Sequence, residues 1–138
     1  MGSVIYTELL LTVPKDHLKL GQSGEELAKG FLKKNGYRII ACNYKSRIGE
    51  IDIVAEEKGV ICFVEVKTRQ SLEFGLPEEA VFNLKQRKLS LVALEFLKAN
   101  SLLEANARFD VVSVIVGANT PKIELIKNAF EFNQMPSY

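Results

Sequence analysis

Four charged residues interrupt two apolar, strand-like stretches of the sequence that are separated by a short polar turn. Glu50 and Asp52 lie among Ile and Val in the first stretch, and Glu65 and Lys67 lie among Val, Cys and Phe in the second. A charge removed from water without a partner is costly, so this placement indicates that partners are provided. Two carboxylates supply the oxygen ligands that a hard cation such as Mg²⁺ or Mn²⁺ prefers. A nearby lysine can position a water molecule or stabilise charge that develops on a phosphate.

The loop between the two stretches decides whether these charges meet, because strand side chains alternate between the faces of a sheet. A two-residue loop at residues 58–59 places Asp52 opposite Glu65. The same loop places Glu50 opposite Lys67. A four-residue loop makes Asp52 and Glu65 diagonal neighbours, and a three-residue loop puts them on different faces. A metal site with Glu50 in a supporting position and a plain ion-pair network of these four residues both remain open.

Two predicted helices each offer one further candidate for the site. At 100° per residue, Lys85 falls near the centre of the apolar arc of its helix, so its side chain must extend to solvent, to a buried acid or to a phosphate. Glu25 lies at the edge of the apolar arc of the other helix, whereas Glu26 points away from it. Glu25 is therefore the better candidate for a further metal ligand, although a surface glutamate beside a helix start is the commoner case.

The remaining pattern predicts the elements that must position these residues. Helical periodicity with terminal signals covers residues 21–37 and 76–100, and strand-like runs cover residues 37–44, 50–57, 60–67, 107–117 and 121–130. The order αβββαββ, with a hairpin followed by a helical crossover, predicts an α/β fold in which helices flank a central mixed β-sheet of about five strands. Residues 1–20 are weakly patterned and are interpreted as an N-terminal extension, either mobile or strand-like. Residues 21–138 are interpreted as a single domain.

The charge distribution is more informative than the net charge, which is only +1 for 138 residues. Any nucleic-acid surface must therefore come from local clustering. Between residues 29 and 49 there are six basic residues and no acid, and further basic residues flank the charged strands. We interpret the clustering as a phosphate-facing surface, with a solvated basic face as the alternative. The residues expected to grip a nucleic-acid backbone, largely without reading its sequence, are Lys45, Arg47, Arg69, Lys85 and Lys88.

Several other kinds of protein are disfavoured by what the sequence lacks. Cys42 and Cys62 have no zinc-binding spacing and do not make a disulfide framework, so we expect both to be buried, reduced thiols. His17, the only histidine, lies in a poorly patterned segment, which argues against a histidine-dependent catalytic triad. No P-loop, dinucleotide fingerprint, signal peptide or membrane-spanning stretch is recognisable. We therefore expect a cytoplasmic protein that does not bind a membrane.

The charged strands resemble a known nuclease signature. Asp52, a twelve-residue gap and then Glu65-Val66-Lys67 is similar to the active-site motif of the PD-(D/E)xK superfamily, which includes restriction endonucleases and archaeal Holliday-junction resolvases. Four ordered blocks are also similar to the bacterial YraN-like family (uncharacterised protein family 0102) of small predicted nucleases. The similarity spans residues 21 to 130, and its blocks are "GQSGEELAKGFLKKNGYRIIACNYKSRIGEIDIVA", "FVEVKTR", "GLPEEAVFNLKQRKL" and "RFDVVSV".

This resemblance implies a restriction-endonuclease-like core and a metal-dependent endonuclease of nucleic acid, with DNA, including branched or structured DNA, as the expected substrate. It implies that Asp52 and Glu65 hold Mg²⁺ or Mn²⁺ and that Lys67 is the catalytic lysine. Glu25 and the Val66 carbonyl are the further ligands that the resemblance suggests. The resolvase-like relatives are symmetric dimers, so a homodimer is a further implication. A non-catalytic nucleic-acid-binding or adaptor module on the same fold is the alternative function.

Overall fold

The structure, a computed structural model, describes residues 4–9, 22–70, 83–116 and 121–132. Two helices and six strands follow one another along these residues. Their bounds are Val4–Leu9 (β1), Gln22–Lys34 (α1), Arg38–Lys45 (β2), Glu50–Glu57 (β3), Val60–Arg69 (β4), Asn83–Ala99 (α2), Asn106–Ile115 (β5) and Lys122–Phe130 (β6). The predicted order αβββαββ is confirmed from α1 to β6, and β1 adds a strand before it.

All six strands belong to one mixed sheet, in the order β1-β6-β5-β4-β3-β2. β4 and β5 pair in parallel, with α2 between them in the chain, and all other neighbouring strands are antiparallel. The predicted mixed sheet is therefore confirmed, with six strands rather than about five. The sixth is β1, which pairs with β6, so part of the predicted N-terminal extension is a strand of the sheet. The division into an extension and a single domain stays a prediction.

Each face of the sheet is covered by one helix over its own apolar core. The core under α1 includes Ile53, Cys62 and Val64. The core under α2 includes Phe63, which lies in a cluster of rings with Phe96, Phe109 and Phe132. Because neighbouring strand residues alternate between faces, Glu65 follows Phe63 onto the face that α2 covers.

The β3–β4 hairpin has the two-residue loop, which settles the register that the sequence left open. Lys58 and Gly59 both have positive φ, 50° and 80°. This is the geometry of a type I′ turn, whose twist suits a two-residue hairpin. The strands pair from the turn as far as Ile53 opposite Val64. The next position in this register is that of the two candidate metal-binding carboxylates.

The edge strand β2 is irregular, and the irregularity accompanies an exposed cysteine. The pairing of β2 with β3 shifts register between Ile39 and Ala41, and Asn43 has a left-handed φ of 53°. Such irregularities change the direction in which the neighbouring side chains point. Cys42 lies between them and is exposed, so the prediction of two buried thiols is wrong for Cys42 and confirmed for Cys62.

The helix ends agree with the sequence pattern where they are described. At the end of α1, Gly36 has a φ of 88°, the Gly36 N–H bonds to the Lys33 carbonyl, and the Tyr37 N–H bonds to the Leu32 carbonyl. This is a Schellman motif, in which glycine takes the left-handed position. The predicted start of the second helix, near residue 76, lies outside the described residues. Neither described helix combines the length and the apolar character needed to cross a membrane.

Candidate metal centre

Asp52 lies where β3 and β4 stop pairing with each other. The paired region ends at Ile53 and Val64, and beyond it Oδ2 of Asp52 accepts a hydrogen bond from the Val66 N–H at 2.8 Å. A backbone donor inside a protein needs an acceptor, and here a side chain supplies it instead of the neighbouring strand. The bond fixes Asp52 against the backbone of the strand that carries Glu65.

Glu65 is a buried carboxylate with only one of its two oxygens paired. The residue is 7% exposed. Its Oε2 lies 3.1 Å from Nζ of Lys85 on α2. Of solvent, a buried acid and a phosphate, the three partners that the sequence allowed for Lys85, the structure shows the buried acid. Its Oε1 is buried and has no hydrogen-bond partner among the residues that the structure describes. Buried carboxylate oxygens are normally paired, so the lone Oε1 indicates a binding position.

Both carboxylates have raised pKa values. Burial raises the pKa of Glu65 to about 7, the charge of Asp52 acts in the same direction, and Lys85 opposes both. Burial also raises the pKa of Asp52, with contributions from the charges of Glu25 and Glu50 and against the opposing backbone hydrogen bond. One ammonium group therefore does not balance the negative charge gathered here.

α1 begins in direct contact with β4, and this contact brings Glu25 to the edge of the site. A Cβ atom at Gly24 would lie 1.9 Å from Oγ1 of Thr68, so glycine is needed for this close approach. Glu25 follows in the first turn, near enough for its charge to raise the pKa of Asp52. Within the described residues, however, no three His, Cys, Asp or Glu side chains are grouped so that they could hold one ion. The structure brings Asp52 and Glu65 together and leaves Glu25 beside them.

Lys67 and Glu50 are exposed residues next to the carboxylates. Lys67 lies two residues beyond Glu65, on the same face of β4 by strand alternation. β3 and β4 no longer pair at this point, so Glu50 is not the cross-strand partner of Lys67 that a two-residue loop predicted. Glu50 instead pairs with Lys45 of β2. The Val66 carbonyl as a metal ligand stays a prediction.

A serine that the sequence analysis did not single out lies beside Lys67 in the sheet. Ser113 is the partner of Lys67 in the parallel register of β4 and β5. It is fully buried, and within the described part of the chain its hydroxyl has no hydrogen-bond partner. Glu65 and Ser113 thus each have an unpaired polar atom on the α2 face. The sequence signal for a buried hydroxyl at this position was the single serine in the apolar run of residues 111–116.

These features fit a divalent cation bound by the Asp52–Glu65 pair. Mg²⁺ is commonly held by one or two carboxylates and keeps its remaining positions for water and phosphate oxygens, so a third carboxylate is not required. The unpaired Oε1 of Glu65 offers a ready ligand, and the raised pKa values of both acids indicate unbalanced negative charge. The donor set contains oxygen only, which suits Mg²⁺ or Mn²⁺ better than zinc.

The predicted phosphate-facing residues are not all at the surface. Three of them are exposed, namely Lys45, Arg47 and Lys88, and Lys85 is half-exposed although it is ion-paired. Arg69 is only 8% exposed. Its burial is at odds with the expectation that it grips a nucleic-acid backbone. The burial of Arg69 could not be predicted, because the sequence at the end of a strand gives no local signal of which distant residues lie near it.

A second cluster of buried charges lies on the α1 side of the sheet, towards the β3–β4 turn. We refer to its members as the Asp110 network, which consists of Tyr37, Glu57, Arg108, Asp110 and Lys127. Asp110 is fully buried and accepts hydrogen bonds from the Tyr37 hydroxyl at 2.8 Å, from Arg108 at 2.9 Å and from a backbone N–H of β6 at 2.9 Å. Glu57 accepts hydrogen bonds from Arg108 at 2.6 Å and from Lys127 at 2.7 Å. None of these five residues was identified from the sequence.

The pKa of Glu57 in the Asp110 network is shifted in the opposite direction from those of Asp52 and Glu65. Although burial acts to raise it, the pKa of Glu57 is lowered by its hydrogen bonds to Lys127 and Arg108. Burial and the adjacent Asp110 raise the pKa of Tyr37, which keeps its hydroxyl protonated as a donor. The network therefore satisfies its own charges, as expected of a group with a structural role.

Comparison with known proteins agrees with the sequence resemblance. The profile of a family described as "Uncharacterised protein family UPF0102" matches residues 24–114. The chain belongs to this family. A UPF0102 protein of Trichlorobacter lovleyi is 47% identical over 121 residues, which cover 86% of this chain and 95% of that protein. A UPF0102 protein of Caldicellulosiruptor saccharolyticus is 49% identical over 114 residues (81% and 97%), and one of Rhodococcus opacus is 44% identical over 115 residues (83% and 98%).

Membership in UPF0102 confirms the predicted YraN-like family, and the matched region contains the candidate site. The match begins at Gly24, where α1 meets β4, and ends at Val114, one residue after Ser113. The strands β1 and β6 lie outside it. The names of these UPF0102 relatives state a family and no activity, so the reaction has to be inferred from the site itself.

Proposed function

We propose that the protein is a Mg²⁺- or Mn²⁺-dependent endonuclease that hydrolyses phosphodiester bonds of nucleic acid, with DNA as its substrate. The observation that carries the proposal is the Asp52–Glu65 pair, in which two carboxylates with raised pKa values meet where two strands separate and one buried oxygen is unpaired. The exposed Lys67 follows on the same face. The resemblance to PD-(D/E)xK nucleases gives these three residues roles that their positions allow.

Each of these residues has a separate task in the proposed reaction. Asp52 and Glu65 would hold the cation, with the Val66 carbonyl as a further protein ligand. Glu25, which lies beside the pair in the structure, would have to move towards the ion to join them as a ligand. The bound ion supplies Lewis-acid stabilisation of the phosphate and activation of water. Asp52 is oriented in advance by the Val66 N–H, so little ordering is needed when the site fills. Lys67 positions the attacking water or stabilises the charge that develops on the phosphate.

The proposed substrate is held mainly through its phosphates. The exposed Lys45, Arg47 and Lys88 contact the backbone, which orients a substrate but reads little sequence. Because the net charge is only +1, this local cluster has to supply the attraction, and binding should weaken as salt is added. The resemblance to resolvases makes branched DNA the first substrate to try. It also suggests a symmetric dimer, which light scattering of the purified protein would detect.

Nuclease assays of purified protein test the proposal directly. Four-way-junction, duplex and single-stranded DNA are incubated with Mn²⁺ or Mg²⁺, and cleavage is followed on gels. We expect cleavage of at least one substrate that stops when metal is chelated. Asp52→Asn and Lys67→Ala should each reduce the rate on the order of a thousandfold, since stabilising the transition-state charge is worth several kcal/mol.

Matched variants separate chemistry from a general loss of charge. Glu56→Gln removes a carboxylate from the same strand, where Glu56 pairs with Arg38, and Lys98→Ala removes an exposed lysine of α2. Both should cleave at the parent rate. The absence of cleavage with every substrate, or equal cleavage by the parent and Asp52→Asn, would remove the proposal.

A non-catalytic nucleic-acid-binding or adaptor module on the same fold is the second candidate. The Lys85–Glu65 ion pair favours it, because a cation of the chain itself already neutralises part of the carboxylate charge. Against it, a protein that only binds a polyanion gains nothing from two acids beside its basic residues. Titration calorimetry with Mn²⁺ distinguishes the two functions. A binding module shows no metal affinity, whereas the nuclease shows an affinity that is lost in Asp52→Asn.

A further inference from the structure

The ion pair between Lys85 and Glu65 joins an exposed cation to a buried acid. Nζ of Lys85 lies 3.1 Å from Oε2 of Glu65, and the side chains are 49% and 9% exposed, respectively. The lysine therefore approaches the carboxylate from the solvent side, with a long flexible stem that can reach other positions. Its ammonium can leave towards water without uncovering the core, whereas Glu65 is held inside the sheet. One partner of this pair is fixed and the other is exchangeable.

The fixed partner also has a second, unused oxygen. Within residues 4–9, 22–70, 83–116 and 121–132, Oε1 of Glu65 is buried without a hydrogen-bond partner, and Asp52 lies at the position after the last pair of the β3–β4 register. Lys85 acts electrostatically on both carboxylates, opposing the burial that raises their pKa values. A monovalent ammonium satisfies only one oxygen of this pair. A divalent ion beside both carboxylates would bring twice the charge and could be bound by Oε1 as well.

We propose that Lys85 is an exchangeable internal cation, which pairs with Glu65 in the metal-free protein and is displaced when Mg²⁺ or Mn²⁺ binds to Asp52 and Glu65. This inference rests on the proposed metal site and adds a positioning residue to it. Competition between the ammonium and the metal sets the metal affinity. The released side chain then contacts a phosphate of the substrate. Lys85 is therefore ion-paired with Glu65 before metal binding and with the nucleic acid after it.

The Mg²⁺ affinity of a lysine variant tests the competition without any activity measurement. Lys85→Met removes the ammonium but keeps an unbranched, apolar side chain in its place. At pH 9.0, which favours ionised Glu65, titration calorimetry should show roughly fivefold tighter Mg²⁺ binding by this variant than by the parent, the value of a half-exposed ion pair. Lys98→Met, with the same change at an exposed position of the same helix, should bind Mg²⁺ as the parent does. Equal or weaker binding by Lys85→Met would overturn the proposal.

The reactivity of the lysine in the parent protein gives a second readout, which does not depend on a variant that folds. Acetylation by an activated ester, followed by peptide mass spectrometry, should modify Lys85 several-fold faster when saturating Mg²⁺ is present, because the ammonium is released. Lys98 in the same sample is the internal control and should not change. An unchanged or slower reaction of Lys85 would overturn the proposal.

The two readouts also separate this inference from the proposed function. If the parent binds no Mg²⁺ by calorimetry, the proposed metal site fails, and the exchange fails with it. If the parent binds Mg²⁺ but Lys85→Met binds it no more tightly, the metal site stands and only the exchange is wrong.

Discussion

The sheet buries two groups of charged residues, and they differ in how completely the charges are paired. In the Asp110 network, Asp110 accepts hydrogen bonds from three donors, and Glu57 from two side chains. In the Asp52–Glu65 pair, the described residues give Glu65 a single ammonium as a contact and its other oxygen no partner. The first group contains two acids and two bases, whereas the second contains two acids and one base.

This difference supports a structural role for the Asp110 network and the proposed cation-binding role for the Asp52–Glu65 pair. A buried charge group that is balanced and fully hydrogen-bonded adds to the definition of the fold and has little capacity left for a ligand. A buried pair of acids with raised pKa values and an unpaired oxygen is costly for the protein alone and becomes favourable when a cation binds. The two groups lie on opposite faces of the sheet, so variants can test them separately.

The largest effect is expected from removing the central acid of the Asp110 network. Asp110→Ala removes the buried acceptor of the Tyr37 hydroxyl and one of the two carboxylates that accept hydrogen bonds from Arg108. Breaking one partner out of a buried ion pair costs about 3–5 kcal/mol of unfolding free energy. Urea unfolding of the variant and the parent measures this loss. Glu104→Ala, an exposed acid in the turn after α2, is the control and should change stability by less than about 0.5 kcal/mol. A loss below about 1 kcal/mol for Asp110→Ala would contradict the structural role of the network.

A second prediction concerns pH in the metal-free protein. The pKa of Glu65 is raised from its ordinary 4.5 to about 7, so folding favours the protonated acid. Its contribution to stability is therefore fully present below about pH 4.5 and is lost as the pH rises to about 7. The loss is on the order of 3 kcal/mol. Glu65→Gln, which stays neutral, should lack this loss when unfolding is compared in chelator between pH 4.5 and 8.

Glu57 should show the opposite pH dependence, which sharpens the comparison. Its pKa is lowered in the folded protein, so it contributes stability above its unfolded pKa and loses it as the pH falls through the folded value. The stability difference between the parent and Glu57→Gln should therefore shrink as the pH falls below about 4.5. If both acids changed stability in the same direction, the contrast between the two groups would not hold.

The smallest expected effect comes from two buried hydroxyls. The Tyr37 hydroxyl donates to Asp110 and accepts from Arg108, so Tyr37→Phe should cost about 1–2 kcal/mol of unfolding free energy. The Ser113 hydroxyl has no partner among the described residues, so Ser113→Ala should change stability by less than about 0.5 kcal/mol. Thermal unfolding of both variants in chelator checks the difference. A cost for Ser113→Ala equal to that for Tyr37→Phe would show that the hydroxyl near Lys67 is structurally paired.

Sequence reasoning predicted the elements around the Asp52–Glu65 pair well because their signals are local. The bounds of β3, residues 50–57, follow from alternation and from the turn at Lys58 and Gly59. Once that loop is fixed, the carboxylates follow as the next position in the register. The prediction of a buried Cys42 was wrong because a left-handed residue and a register shift in an edge strand leave no trace in hydrophobic alternation.

The Asp110 network could not be predicted in the same way. Its members come from the turn between α1 and β2, from β3, from β5 and from β6, and the Tyr37–Asp110 hydrogen bond joins residues 73 positions apart. A single Asp within an apolar strand shows that a partner is needed but does not show which residue provides it. The burial of Arg69 and the ion pair of Lys85 with Glu65 could not be predicted for the same reason, because they too depend on residues that are distant in the chain.

The sequence by itself determined the two helices and the strands β2 to β6, because these depend on backbone preferences of residues close together in the chain. It left open the length of the β3–β4 turn, on which the neighbouring positions of Asp52 and Glu65 depend. Only the tertiary structure decided which charges are satisfied. Burial and pairing depend on side chains that distant elements bring over each face of the sheet, and these left Oε1 of Glu65 unpaired while Asp110 received three donors.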